Sequence, residues 1–204
     1  MKKYIILSLI VLCFSCKNGP ERDEDIIDLE KFDLNFNVEE YYSEYIDEIE
    51  QTYNVHRMVS NDSILATEYE MIGFFKKPRY AYYEEKSFDM VDIIKSDVNN
   101  NEFIALLASN YQVPATGFSK LLKKLTNKYG KPQVCDILVY KGHTYTWTLD
   151  DRLIVLSYNE YGKPSIINET FYIINKKYIS IFKNRSSLGK WYFLNQDNTC
   201  NQEL

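Results

Sequence analysis

Hydrophobic and polar positions change their period several times along this chain, and each change marks an element. From residue 37 the apolar residues Val38, Tyr41, Tyr42, Tyr45, Ile46, Ile49 and Tyr53 recur at helical spacing, while Glu39, Glu40, Glu44, Asp47, Glu48 and Glu50 fill the other faces. Asn37 followed three residues later by Glu40 forms a capping box, so the spacing predicts a helix over 37–53. A second helix is predicted over 116–129, with Thr116 as its cap and Phe118, Leu121, Leu122, Leu125 and Tyr129 as its stripe. Gly130 then occupies the left-handed C-terminal position and Pro132 stops continuation. Between the helices, the runs 64–72, 80–83, 91–94 and 103–108 read as short strands, the first compatible also with a helix capped by Asp62. Asp97-Val98-Asn99-Asn100-Asn101 reads as the hairpin turn joining the last two.

Beyond the second helix the period becomes two. Strands are predicted over 134–140, 144–149 and 153–158, turning at Lys141-Gly142-His143 and Asp150-Asp151. Tyr145, Trp147 and Leu149 point inward and Thr144, Thr146 and Thr148 outward. A last hairpin is predicted from 171–174 and 178–182 about Asn175-Lys176-Lys177. Strands on either side of a helix, joined by short turns, imply an α+β fold: an antiparallel sheet with helices 37–53 and 116–129 packed on one face.

The amino terminus follows a different rule. Lys2 and Lys3 precede an eleven-residue run, Tyr4 to Phe14, that is apolar except for Ser8. A spanning helix needs about 20 apolar residues, so this run has the length of a secretory signal core instead. Leu12-Cys13-Phe14-Ser15-Cys16 resembles the lipobox of bacterial lipoproteins, with Ser15 at the small position before the cut. The resemblance implies cleavage before Cys16 and lipidation of that residue. Several acyl chains on one residue make a lasting membrane anchor where a single chain does not. Lys17 follows in place of the Asp that retains many enterobacterial lipoproteins at the inner membrane, which implies an outer-membrane location.

Four segments follow: a signal peptide at 1–15, a lipidated acidic tether at 16–33, one α+β domain at 34–195 and a polar tail at 196–204. The net charge of -5, from 24 Lys+Arg against 29 Asp+Glu, is unevenly spread. Residues 17–50 carry 13 acids and 3 bases, whereas residues 51–204 carry 16 acids and 19 bases. An acidic segment therefore precedes a slightly basic body. With no overall basic excess, nucleic acid is not the expected partner. With 7 Gly and neither G-x-G-x-x-G nor G-x-x-x-x-G-K-[ST], no dinucleotide or P-loop site is expected, and no cofactor.

Lys120, Lys124 and Lys128 align on the second helix with Lys123 beside them. This is either a solvated face complementing the helix dipole or a contact strip for an anionic partner. With Cys13 removed and Cys16 lipidated, Cys135 and Cys200 remain. In an exported protein they either close a disulfide, worth about 4 kcal/mol in the chain-entropy picture, or stay a buried and a free thiol. Only His56 and His143 are present, with no H-E-x-x-H or C-x-x-C, so no metal is expected. The predicted hairpin puts Cys135 about 20 Å from His143, too far for a nucleophile and its base. Ser187-Leu188-Gly189-Lys190 has the S-x-x-K form without S-D-N or K-T-G. Asp62-Ser63-Ile64 resembles the Asp-Ser/Thr-apolar acceptor for O-glycosylation in some exported bacterial proteins, which implies modification of Ser63. The expected function is that of a lipid-anchored envelope protein binding an envelope protein or glycan, in assembly, recognition or immunity. The competing expectation is an envelope hydrolase using carboxylates that no local motif reveals.

Overall fold

A computed structural model describes residues 26–43, 53–60, 63–71, 81–137 and 141–183. Fifteen elements follow one another. They are β1 (Ile27–Asp28), α1 (Val38–Ser43), β2 (Tyr53–Ser60), β3 (Ser63–Met71), β4 (Ala81–Tyr83), β5 (Lys86–Phe88), β6 (Met90–Ser96), β7 (Phe103–Pro114), α2 (Ala115–Tyr129), β8 (Gln133–Asp136), β9 (Gly142–Thr148), β10 (Arg152–Tyr161), β11 (Lys163–Asn175), a 3₁₀ turn (Lys176–Tyr178) and α3 (Ile179–Lys183). The protein is α+β and mostly antiparallel sheet. Eight strands are ordered β2-β3-β6-β7-β11-β10-β9-β8, all neighbours antiparallel, and a separate small sheet is ordered β1-β4-β5.

The central strands bury both of their faces, which is why their sequences read as continuous apolar runs. Ile93, Leu106, Leu156 and Phe171 join one cluster with Phe118, Leu121 and Leu125 of α2, Val38 of α1 and Phe88 of β5. Ile94, Leu107, Val155 and Tyr172 point the other way and join a second cluster with Tyr178 and Phe182. Ile104 is an extra residue where Ile94 pairs with Ala105 and Lys95 with Phe103. This bulge brings Phe103 into the first cluster and leaves Ile104 in the second.

Several expectations are corrected. Tyr53, placed by helical spacing at the end of a helix over 37–53, instead opens β2, and α1 is described only as Val38–Ser43, residues 44–52 lying outside the described residues. Cross-strand pairing of 53–60 with 63–71 wins there over a local period that Tyr53 happens to continue. Helix α2 starts at Ala115 behind Pro114 with no side-chain cap, so Thr116 lies inside its first turn. The predicted strand 178–182 is helical: β11 is already bonded to β7 and β10 and offers no edge. Asn175 accepts from the Lys177 N–H at 3.1 Å and starts a 3₁₀ turn, after which Tyr178 and Phe182 bury one helical turn apart. Ile27, Leu29 and Phe32, read as tether, are buried, so the folded body already includes residue 27. Gly142 is in β9, not a turn; a β-carbon there would collide with the Tyr158 carbonyl oxygen.

Candidate functional site

At one end of the large sheet, the β6–β7 turn, the start of the 3₁₀ turn and the segment leading into α1 enclose an open groove of about 600 Å³. The volume falls within the range of about 300–1,000 Å³ typical of ligand clefts. Its lining includes Asn35, Asn37, Asn100, Asn101 and Asn175, the carboxylates Glu39 and Glu102, Lys177, and the rings of Phe36 and Phe103.

Each wall has a local origin. Asn37 caps α1, its Oδ1 accepting the Glu40 N–H at 3.2 Å while its amide donates to Glu40 Oε2 at 3.2 Å. The predicted box forms, but Glu40 reaches the Asn37 side chain. In the β6–β7 turn, Ser96 Oγ accepts from the N–H groups of Val98 and Asn99, and the Glu102 N–H donates to Asn99 O. Asn100 and Asn101 adopt φ of 45° and 60°, a left-handed conformation that asparagine tolerates better than most residues. The aromatic floor is a chain of rings: Phe36 meets Phe32 at 5.1 Å between centroids, and Phe32 meets Phe103 at 4.8 Å.

Two ion pairs tie down the groove's carboxylates. Lys95 Nζ donates to Glu39 Oε1 at 2.6 Å and to Asn101 Oδ1 at 2.8 Å. Burial lowers the Lys95 pKa, but its hydrogen bond to Glu39 and the neighbouring Tyr69, Glu39 and Asp97 outweigh that and hold it raised. Lys177 donates to Glu102 Oε2 at 2.6 Å, and the Tyr178 hydroxyl donates to the same oxygen. These two bonds hold the Glu102 carboxyl below its ordinary range.

A second polar cluster is closed over. Glu169 on β11 is fully buried and paired with Lys86 of β5. Asn110 donates to Glu169 Oε1 at 2.8 Å and to Ser87 O at 2.9 Å, and its Oδ1 accepts the Asp89 N–H at 2.9 Å. Glu169 Oε2 has no hydrogen-bond partner among the described residues.

The lysines singled out on α2 divide. Lys124 is paired with Glu84, and Lys128 donates to Glu30 Oε1 at 3.0 Å while lying over the rings of Tyr83 and Tyr129. Lys120 and Lys123 are exposed. The acidic amino-terminal segment thus folds back on the basic body through Glu30 and Glu39. Cys135 is disulfide-bonded, and its partner lies outside the described residues, as do Cys16, Cys200 and Ser187 to Lys190. Ser63 opens β3. Cys135 pairs with Thr144 and Asp136 with His143, so Cys135 and His143 are near neighbours rather than about 20 Å apart at about 3.3 Å per residue. What removes a Cys-His nucleophile is the disulfide, which leaves no thiolate. His143 Nδ1 lies 2.8 Å from Asp136 Oδ1, close enough for an ion pair but not aligned as a hydrogen bond.

Among the described residues no group of three or more His, Cys, Asp or Glu is placed to hold a metal, and no helix is long and apolar enough to cross a membrane. The chain matches no known family model, no curated protein and no solved structure. The groove was not marked by any motif. Its only sequence signal is the Asn99-Asn100-Asn101 run, which has more amide groups than a turn requires.

Proposed function

We propose that this chain is a lipid-anchored protein of the cell envelope, held at the outer membrane through Cys16, that acts by binding a partner in its asparagine-lined groove. In this reading α1 and α2 sit together on one face of the large sheet, as the burial of Val38 with Phe118, Leu121 and Leu125 in one cluster suggests. The groove then lies at the start of α1, its floor residue Phe103 belonging to the same cluster as Val38. The observation that carries the reading is a groove with unused hydrogen-bonding groups: the side chain of Asn100 bonds to nothing among the described residues, and one oxygen of Asn35 is free. Polar groups that build no internal structure are available to a ligand.

Hydrolysis is the second reading, favoured by one observation, that Glu39 and Glu102 line the same groove. It needs one carboxyl held protonated as an acid. Both carboxylates are already paired with lysines, Glu39 with Lys95 and Glu102 with Lys177, so neither is left unpaired to serve as the acid, which supports binding over catalysis.

Fractionation and crosslinking of native membranes test the proposal. Wild-type protein is expected in the membrane pellet and Cys16→Ala in the soluble fraction. Unchanged fractionation overturns the anchor. A crosslinked partner is expected with the wild type; recovery of nothing above the soluble control overturns the binding role.

A further inference from the structure

We infer that the occupant of the groove is an uncharged saccharide. The inference rests on the binding role proposed above and assigns the ligand's chemistry.

Charge is the first constraint. The groove's two carboxylates each face a lysine, Glu39 with Lys95 and Glu102 with Lys177, and Lys95 is shared with Asp97 at 3.6 Å, so neither lysine is left over to attract an acidic ligand. Both carboxylates remain open to solvent nonetheless, with 49% and 45% of their side chains exposed. Each therefore retains lone pairs able to accept from ligand hydroxyls.

The amides divide by what they already do. Asn175 and Asn37 are engaged in local structure, through Phe103 O and the Lys177 N–H in one case and through Glu40 in the other. Asn35 donates to Asp33 and keeps its oxygen, Asn101 accepts from Lys95 and keeps its NH₂, and Asn100 keeps both. A ligand is thus offered donors and acceptors interleaved at one rim, which matches hydroxyl groups that themselves both donate and accept. Phe36 is half-buried on the floor and gives the apolar face of a sugar ring a surface to lie on.

An extended peptide would need a free strand edge to pair its backbone. The strands entering the groove, β6, β7 and β11, are interior to the sheet and bonded on both sides. The β6–β7 turn is fixed by its own hydrogen bonds before any ligand arrives, so little ordering accompanies binding.

The test is calorimetric titration of the full chain with an array of neutral oligosaccharides (maltohexaose, cellohexaose, xylohexaose, mannohexaose and chitohexaose), with oligogalacturonate and hexaglycine as charged and peptide comparators. Binding to at least one neutral oligosaccharide is expected. Asn100→Gly, which keeps the left-handed backbone, and Asn35→Ala should each weaken it about tenfold, with the melting temperature unchanged and Lys120→Ala binding like the wild type. Failure of every neutral oligosaccharide at about millimolar concentration, preference for oligogalacturonate or hexaglycine, or unchanged affinity in the Asn100→Gly/Asn35→Ala double variant overturns the inference. Crosslinking separates it from the broader reading. A protein partner captured by wild type and lost in the double variant keeps the binding role and removes the saccharide, whereas no partner and no saccharide removes both.

Discussion

The two polar clusters of this protein use the same residue types to opposite ends. Around Glu169, an asparagine, a lysine and a carboxylate are locked between β5, β7 and β11, and every polar atom of Asn110 points at a neighbour. In the groove, asparagines, lysines and carboxylates are again adjacent, but Asn35, Asn100 and Asn101 keep groups that none of the described residues engages. Residue type therefore does not distinguish the enclosed cluster from the proposed binding groove. What does is how much of the amide hydrogen-bonding capacity is closed internally, because a buried open group, as at Glu169 Oε2, costs about 1–3 kcal/mol while an exposed one is satisfied by water at no such cost.

The comparison breaks most visibly at the closed cluster. Glu169→Ala leaves Lys86 without its buried partner and should cost about 3–5 kcal/mol in urea unfolding. Replacing both charges, in Glu169→Leu with Lys86→Met, should recover part of that, and a double variant as unstable as the single one would show that the pair is not the source. Asn110→Ala removes three hydrogen bonds at a site only 3% exposed and should lower stability by about 2–3 kcal/mol by the same measurement.

At the open cluster the effects shrink. Glu102 has a lowered folded pKa, so its pairing contributes fully above the ordinary carboxylate range of about 4 and is lost as pH falls through the folded value. Thermal melts of the wild type should therefore decline more steeply below about pH 4 than those of Glu102→Gln, and parallel curves would remove the Glu102 contribution. Smallest of all, Asn100→Gly, which removes the amide and keeps the left-handed backbone, should change stability by less than about 0.5 kcal/mol, read from chemical unfolding, while altering ligand affinity. A large loss of stability in that variant would mean the groove is architecture after all.

Much of the β-structure was legible in the alternation. Trp147 is buried as the pattern 144–149 requires, though Thr144, expected outward, is buried as well, and the Trp147 indole N–H donates to Gly130 O at 2.8 Å, joining β9 to the end of α2. The 153–158 strand and its Asp150-Asp151 turn also stand, the Leu149 N–H donating to Arg152 O at 2.9 Å. The failures share a cause. Residues 178–182 have strand composition, but whether a strand forms depends on an unpaired neighbour, and none is left beside β11. The groove was illegible because its walls come from residues about 65 and 75 positions apart, which no local window joins.

Tyr-Gly-Lys-Pro occurs twice, at 129–132 and 161–164. The sequence marks the first copy as an element end, through a glycine free to turn left-handed and a proline that lacks an N–H, and in the structure Gly130 and Gly162 both take positive φ, 86° and 68°. Only the tertiary structure decided what each copy joins. The first closes α2 and leads into β8, where Gln133–Asp136 pairs on β9, whereas the second folds β10 directly onto β11. The acidic start of the chain shows the same division. Its charge was readable from composition, but the meeting of Glu30 with Lys128 and of Glu39 with Lys95 required the fold. Local stereochemistry is written in a few residues, while contacts across the chain exist only once the hydrophobic clusters have fixed which elements lie side by side.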